Sequence, residues 1–254
     1  MGNNIEQYWS EQERMLAEHL KTKDVNDFLQ WTFLQKSMFH ELHSAKYNDL
    51  RASKYWDKWK DALNEDDFGN PNRYYLYTQS SGNLLHHAHS LWQFAEFLKK
   101  FDVFEWNSIF EFGGGYGSVC RLIHRLDFVG NYILYDLPTF LTLQRLYLEN
   151  VHINMNNIKF LSQLNEEIDV DLFIAMWSIS ESPIPLREQV LLKVKAKMYL
   201  IIFQKMLDPA SMFTGIDNSK YFEEFTKRYP NYRWKMYDVP YLPGNCYLFG
   251  ERND

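Results

Sequence analysis

The chain has 254 residues, 46% of them hydrophobic, which is enough to bury a core in one large domain with or without an appended part. Its 27 basic and 33 acidic residues leave a formal charge of -6, which argues against nucleic acid as a partner. Two cysteines are too few for a disulfide framework, and no apolar run reaches membrane-spanning length. We therefore expect a cytoplasmic protein with no membrane insertion and no nucleic-acid partner.

The first part of the chain, up to about residue 105, has the periodicity of helices. The stretches IEQYWSEQERMLAEHL and NDFLQWTFLQKSMFHEL repeat apolar residues at intervals of three to four. A loop rich in Asn, Asp, Gly and Pro follows, and SGNLLHHAHSLWQFAEFLKKF then predicts a helix that starts near Ser81 or Asn83. We interpret residues 1–105 as an N-terminal helical region.

Beyond residue 105 the pattern changes to alternating strands and helices. The strand-like runs are SIFEF, NYILYD, IKFLS, VDLFIAMW and KMYLIIFQ, and this alternation favours a parallel sheet covered on both faces. Two further runs, RWKMYDVPYL and NCYLFGER, are joined across a Pro-Gly turn and predict an antiparallel hairpin. Residues 106–254 are therefore predicted to form an α/β domain with a seven-stranded Rossmann-like sheet, five strands parallel and the last two a hairpin.

The connection between the third and fourth predicted strands is short and must adopt an extended conformation. About eight residues separate the third strand from the fourth, whereas a crossover usually takes a dozen or more. The straight path past three strand positions is about 22 Å, and eight extended residues reach roughly 26 to 29 Å. The sequence predicts a nearly taut link without a helix.

The dense glycine run FEFGGGYGS stands between the first predicted strand of the sheet and the next helix. A P-loop would need Lys and then Ser or Thr, but Ser118 and Val119 follow Gly117. The dinucleotide fingerprint starting at Gly113 would need glycine where Ser118 stands, which disfavours a nicotinamide cofactor. The run then serves either a cofactor or a tight turn, since glycine lets the backbone approach a ligand closely.

The second and fourth strands end in polar residues. Asp136 follows the second strand about 20 residues after the glycines, where a carboxylate can accept hydrogen bonds from ribose hydroxyls or cap the next helix. The fourth strand runs into WSISES, and ligands of open α/β sheets bind beyond the carboxyl ends of the strands.

The glycine loop resembles motif I of S-adenosylmethionine-dependent methyltransferases of class I. Together, FEFGGGYGSVCRL, YDLP followed by Gln144 and Tyr147, WSISE and VPYLPGNCYLFG resemble the sugar O-methyltransferase family of bacterial surface-polysaccharide clusters, from about residue 70 onward. The resemblance implies S-adenosylmethionine as the cofactor and S-adenosylhomocysteine as the product. The resemblance places Gly113, Gly115 and Gly117 in the cofactor loop, Asp136 at the ribose, and Ser162 or Gln163 on the adenine side. Their neighbours Glu111, Gly114 and Leu137, and Trp177 at the end of the fourth strand, complete the predicted cofactor-binding set.

Methyl transfer to a hydroxyl group calls for a general base within hydrogen-bonding distance. The helix before the glycine loop carries LLHHAH, which offers His86 and His87, and Glu181 follows the fourth strand. Each has a structural alternative, since the histidines also suit packing and the glutamate suits a helix start. No metal is expected, because the sequence places no carboxylate to complete a site with His86 and His89.

The sequence thus predicts an S-adenosylmethionine-dependent O-methyltransferase that acts on a sugar hydroxyl, in a bacterial surface polysaccharide or its precursor. The alternatives are a methyltransferase of an amine or phenol, and a methyltransferase-like binding protein without turnover. A bare sheet edge would leave the methyl group open to water, so the helical region is expected to be an acceptor-side cap. The sequence does not indicate the oligomeric state, the identity of the acceptor molecule or the position that is methylated.

Overall fold

A computed structural model describes residues 2–38, 42–100, 106–206 and 216–253. The helices are α1 (Gly2–Thr22), α2 (Thr32–Met38), α3 (Ser44–Ala52), α4 (Trp56–Ala62), α5 (Gly82–Leu98), α6 (Ser118–Arg125), α7 (Pro138–Asn150), α8 (Ile184–Lys193) and α9 (Asn218–Arg228). The strands are β1 (Arg73–Tyr74), β2 (Tyr77–Ser81), β3 (Ser108–Phe112), β4 (Asn131–Tyr135), β5 (Ile158–Leu161), β6 (Ile168–Met176), β7 (Val194–Gln204), β8 (Tyr232–Asp238) and β9 (Asn245–Arg252).

The second amphipathic stretch is two short helices rather than one. A 3-10 helix spans Val25–Gln30, and Asp24 caps it by accepting a hydrogen bond from the Asn26 N–H. Trp31 is then extended, with φ -66° and ψ 124°, and α2 starts directly after it. The prediction of one helix through residue 42 was therefore wrong at Trp31, and its residues 39–41 lie outside the described ranges.

A small sheet interrupts the helical region and was not predicted. Strands β1 and β2 pair antiparallel, with Tyr74 opposite Tyr77. The run of tyrosines in RYYLYTQSS suits strands, but it stands too close to the following helix to be recognised by periodicity. Helix α5 starts where predicted, because the Ser81 side chain accepts a hydrogen bond from the Leu84 N–H at its first turn.

The large sheet has the strand order β5-β4-β3-β6-β7-β9-β8. Strands β3 to β7 are parallel, and β9 pairs antiparallel with both β7 and β8. The predicted seven-stranded α/β fold is confirmed. The link at residues 162–167 passes from the edge strand β5 to β6 without a helix, as the length argument predicted.

Two hydrophobic cores cover the two faces of this sheet. Consecutive strand residues point to opposite sides, so that Ile109 and Leu172 belong to one core while Phe110 and Phe173 belong to the other. Helices α8 and α9 contribute to the second core, and α5, α6 and α7 contribute to the first. The carboxyl ends of the five parallel strands all lie on the same side of the sheet.

The N-terminal helices pack on the face of the sheet that carries the core around Ile109. Leu16, Phe28 and Trp59 are buried in the same core as Ile109. The predicted boundary between residues 1–105 and 106–254 falls next to residues 101–105, which lie outside the described part. Among the described helices, none combines the length and apolar character that a membrane crossing requires.

Candidate active site

A cavity of about 570 Å³ lies at the carboxyl edge of the sheet. Its floor is formed by the ends of β3, β4, β6 and β7 and the segments that follow them, and residues of α1, α2, α5, α6, α7 and α8 complete its lining. The chain changes direction between β3 and β6, and such a switch point is where open α/β sheets bind ligands. Predicted site residues that line the cavity are Glu111, Gly113, Gly114, Gly115, Asp136, Leu137, Ser162, Trp177, His87 and Glu181.

Two glycines of the loop after β3 are required for different reasons. Gly113 has φ +70°, and a Cβ there would lie 2.2 Å from the Ser178 Cβ, so this glycine allows close packing of the loop on the β6 end. Gly115 has φ +59°, and a Cβ there would meet only the Met38 Sδ, at 3.6 Å. Both Gly115 and Met38 line the cavity, so a side chain at Gly115 would occupy the space that a ligand needs.

Glu111, the penultimate residue of β3, is buried below the glycine loop. Its Oε2 accepts a hydrogen bond of 2.6 Å from the Tyr132 hydroxyl. Burial raises the pKa of Glu111 to about 7, the Tyr132 hydrogen bond opposes this shift, and the charge of Asp136 adds to it. A carboxylate held in this way is well suited to a cationic ligand group, which would lower its pKa again.

Asp136 directly follows β4 and is tied to the glycine loop. One oxygen accepts from the Leu137 N–H at 2.8 Å, and the other accepts from the Gln144 amide at 2.7 Å. An ionised carboxylate has about four acceptor positions, so two are left for ligand hydroxyl groups. Asp136 does not cap α7, since Leu137 occupies the N-cap position.

Gln144 is a site residue that the sequence analysis did not assign. Its Nε2 donates to Asp136 and also to the Gly115 carbonyl oxygen, at 3.1 Å, so one buried amide holds both the acid and the loop. The sequence feature that could have identified Gln144 was its place in α7, two turns after Asp136 on the helix that follows this acid.

Burial raises the pKa of Asp136 to about 7, against the effect of the Leu137 and Gln144 hydrogen bonds.

The β6 end is shaped by an unusual backbone at Trp177. This residue has φ +66°, and its N–H donates to the Ile202 carbonyl oxygen over 2.8 Å. Its indole Nε1 donates to Asn245 Oδ1 at 2.7 Å, which ties the cavity wall to β9. A positive φ at a bulky residue is costly, and such conformations concentrate at functional sites.

Hydrogen bonds from the buried Arg187 hold the turn after Trp177. Its guanidinium donates to the carbonyl oxygen of Ser182 over 2.7 Å, to that of Ser180, and to Asn218 Oδ1 over 2.6 Å. This network fixes a 3-10 helix, Ser178–Glu181, at the edge of the cavity. Arg187 has no place in the predicted site, because nothing in the sequence distinguishes it from a surface arginine of an amphipathic helix.

Glu181 lines the cavity at the end of that 3-10 helix. Its backbone carbonyl accepts a 2.9 Å hydrogen bond from the Trp9 indole of α1. Burial raises the pKa of Glu181 to about 7, and the positive charge of Arg187 opposes this shift. A cavity carboxyl group with a pKa near neutrality can take up and release a proton at physiological pH.

The two histidine candidates have different environments. His87 lines the cavity, and its Nδ1 lies 3.0 Å from Ser118 Oγ at the start of α6. His86 is buried and does not line the cavity; its Nε2 lies 3.5 Å from the Lys46 Nζ, and its ring packs 5.1 Å from that of Trp177. Adjacent helix residues point about 100° apart, which is why only one of the two faces the cavity.

Two predicted cofactor residues lie outside the lining. Gly117 is the N-cap of α6 with φ +98°, and Gln163 is exposed on the link after β5. In the described ranges, no group of three or more His, Cys, Asp or Glu side chains is placed to hold a metal ion.

Helices α1 and α2 form the wall that faces the strand ends. Glu6, Tyr8 and Trp9 of α1 line the cavity together with Lys36 and Met38 of α2. The helical pattern predicted these elements but gave no indication of which of their residues would face a ligand.

Solved structures with the same architecture support the description of the fold. The magnesium protoporphyrin IX methyltransferase of Synechocystis, solved with bound S-adenosylhomocysteine, has a TM-score of 0.50 at 12% identity, over 82% of this chain and 99% of that one. The two chains share the same Rossmann-like α/β fold. No protein-family model matches the sequence, and the search of curated proteins found no match.

Further structures align with the methyltransferase fold at lower scores. An O-methyltransferase family protein from Burkholderia thailandensis gives a TM-score of 0.47 at 13% identity over 67% of this chain. The chain spans 59% of the length of that protein. A SAM-dependent methyltransferase from Aquifex aeolicus gives 0.44 at 15% identity, over 63% of this chain and 90% of that one.

Proposed function

We propose that this protein is an S-adenosylmethionine-dependent O-methyltransferase whose acceptor is a sugar hydroxyl, in a bacterial surface polysaccharide or a cytoplasmic precursor of one. The observation that carries the proposal is the cavity at the switch point of a methyltransferase sheet, where the glycine loop and Asp136 meet. Resemblance of the sequence motifs to sugar O-methyltransferases supports the acceptor class.

The chemistry of the cavity fits this cofactor. Four acidic side chains line it, Glu6, Glu111, Asp136 and Glu181, whereas Lys36 is the one Lys or Arg among its described lining residues. Such a lining favours a ligand with cationic groups, and S-adenosylmethionine carries both a sulfonium and an ammonium group. When bound, it supplies an electrophilic methyl group for in-line displacement.

The residues divide between the two ends of such a ligand. We assign the glycine loop and Glu111 to the amino-acid end, Asp136 to a ribose hydroxyl, and Ser162 to the adenine side. Leu137 and Trp177 supply apolar contact. Gly117 supports the loop from outside the cavity, and Gln163 remains a proposed adenine-side contact that would require movement of the link after β5.

Glu181 is the favoured general base. It lines the cavity at the end of the 3-10 helix, where its carboxylate can take the proton of an acceptor hydroxyl as the oxygen attacks. His87 is the second candidate, but it contacts Ser118 at the glycine loop and is therefore better placed toward the amino-acid end. His86 lies behind Trp177 and serves as a positioning residue in this proposal.

The helical region is proposed to act as an acceptor-side cap. Trp9 contacts Glu181, and Glu13 Oε1 accepts a 3.0 Å hydrogen bond from the Thr139 N–H of α7. These contacts hold α1 across the cavity, where it excludes water from the methyl group. In this division residues 1–105 supply the cap and residues 106–254 supply cofactor binding.

Transfer of a labelled methyl group tests the proposal. The protein is incubated with methyl-labelled S-adenosylmethionine and a panel of sugars, nucleotide sugars, amines, phenols and delipidated cell-envelope fractions. Labelling of a sugar with loss of a hydroxyl proton, detected by mass spectrometry, is the expected result. Glu181→Gln should lower the rate of sugar methylation by roughly 10²- to 10⁴-fold while cofactor binding persists. Labelling of amines or phenols alone would overturn the sugar assignment.

A further inference from the structure

A second cavity, of about 470 Å³, adjoins the first between α1 and α2. The two cavities share Tyr8, Lys36 and Ser37 in their linings, so these three residues separate them. A ligand longer than a single sugar ring that leaves the strand ends on the side of α1 and α2 would pass these residues to reach the second cavity.

The two cavities differ in the charge of their linings. The second is lined by Lys23, Lys36 and His19, with no Asp or Glu among its described lining residues. Lys23 follows the end of α1 and Lys36 lies on α2, so the two ammonium groups come from separate elements. In a chain with a formal charge of -6, this local excess of positive charge contrasts with the acidic cavity beside it.

The lysines are not used to hold the fold together. Across the described ranges, neither the Lys23 nor the Lys36 ammonium group has an ion pair or hydrogen bond, whereas Lys195, Lys197 and Lys205 each pair with a carboxylate. Both side chains are exposed and free to move toward a ligand. Lysine binds phosphate as a mobile point charge, which suits this arrangement.

We propose that the second cavity binds a phosphate or diphosphate group of the acceptor, so that the methylated sugar is a phosphorylated one. This inference rests on the proposed function. The sugar hydroxyl then lies near Glu181 in the first cavity while the phosphate lies between Lys23 and Lys36. A nucleotide-linked sugar and a lipid-linked diphosphate sugar share this chemistry, and the experiment has to distinguish them.

Binding of anions to the protein saturated with S-adenosylhomocysteine tests the inference. Inorganic pyrophosphate, uridine diphosphate, uridine and farnesyl diphosphate are titrated by calorimetry into wild type, Lys23→Gln, Lys36→Gln and the control Lys21→Gln. Lys21 is an exposed lysine of α1 that lines neither cavity, so the control removes the same charge. Affinity for S-adenosylhomocysteine is measured in the same samples.

The expected result is binding of all three phosphorylated probes but not of uridine. Lys23→Gln and Lys36→Gln should each weaken binding of the phosphorylated probes roughly tenfold. Lys21→Gln should bind them with an affinity close to that of wild type. Tighter binding of uridine diphosphate than of pyrophosphate would indicate a nucleotide-linked acceptor, and tighter binding of farnesyl diphosphate a lipid-linked one.

Each negative outcome has one meaning. If S-adenosylhomocysteine binds but no phosphorylated probe does, or if Lys21→Gln weakens the probes as much as Lys23→Gln, the inference is wrong and the proposed function stands. If S-adenosylhomocysteine itself does not bind, the proposed function fails first.

Discussion

The indole of Trp9 in α1 donates a hydrogen bond to the carbonyl oxygen of Glu181, which joins the N-terminal helix to the carboxyl edge of the sheet. The Trp9 ring also packs edge-on against Phe140 of α7, with 6.1 Å between ring centroids. Helix α1 is thus held on the cavity by contacts to two separate segments.

Trp9→Phe should loosen α1 without removing its aromatic contact. Loss of one hydrogen bond of about 1 kcal/mol would raise the opening equilibrium of the helix about fivefold. Hydrogen exchange of the α1 amides, measured by mass spectrometry, should speed up accordingly. Trp56→Phe, which changes a tryptophan outside the cavity lining, is the control and should leave α1 exchange unchanged. Equal α1 exchange in wild type and Trp9→Phe would show that the bond does not hold the helix.

Gly115→Ala should abolish or strongly weaken binding of S-adenosylhomocysteine. The added methyl group would occupy the cavity, and the positive φ adds a backbone cost of about 1–2 kcal/mol. Gly244→Ala is the matched control, because Gly244 has φ +79° but a Cβ there meets nothing within 4 Å. Calorimetry should show lost affinity only for Gly115→Ala, while thermal denaturation shows comparable destabilisation of both. Similar affinities in the two variants would mean that Gly115 serves the turn and not the ligand.

Affinity for S-adenosylhomocysteine should increase with pH through neutrality. In the proposed function Asp136 accepts hydrogen bonds from the ribose, which it does best when ionised, and burial raises its pKa to about 7. The ligand therefore binds the deprotonated form, and affinity at pH 6 should be roughly tenfold lower than at pH 8. Calorimetry across this range measures the effect.

Asp136→Asn should remove the part of this pH dependence that Asp136 contributes and should bind weakly throughout. Glu111 also has a pKa raised to about 7, and its pairing with the ligand ammonium group would act in the same direction. Glu111→Gln separates the two contributions. A wild-type affinity that is constant between pH 6 and pH 8 would contradict ionisation of either acid on binding.

Gln144→Leu should weaken S-adenosylhomocysteine binding although Gln144 does not line the cavity. The variant keeps the side-chain size but removes the donor to Asp136 and to the Gly115 carbonyl, so the acid is no longer oriented. A cost of about 1–2 kcal/mol, or roughly five- to thirtyfold in affinity, is expected. Gln189→Leu, at an exposed position of α8 that lines neither cavity, is the control. An unchanged affinity in Gln144→Leu would show that Asp136 needs no support.

The sequence predicted the sheet well because its parallel strands are buried and their apolar runs are unambiguous. It also predicted the helix-free link at residues 162–167, since chain length alone limits that path. The break at Trp31 was missed because the apolar residues before and after it keep a helical spacing in the sequence, although the backbone at Trp31 is extended.

The site was only partly predictable, for a different reason. Motif spacing located Gly115, Asp136 and Glu181, which follow strand ends in a known fold pattern. It did not separate His86 from His87, because α5 is buried on nearly all sides and its periodicity carries little information. Gln144 and Trp9 act through contacts to residues far away in the sequence, and no local pattern encodes those contacts.

In the proposed function the cavity binds S-adenosylmethionine and its product. A calorimetric titration of the wild-type protein with S-adenosylhomocysteine, alongside NADH and ATP, measures this directly. We expect one-to-one binding of S-adenosylhomocysteine and no comparable binding of the two nucleotides. Absence of S-adenosylhomocysteine binding, or tighter binding of NADH, would contradict it.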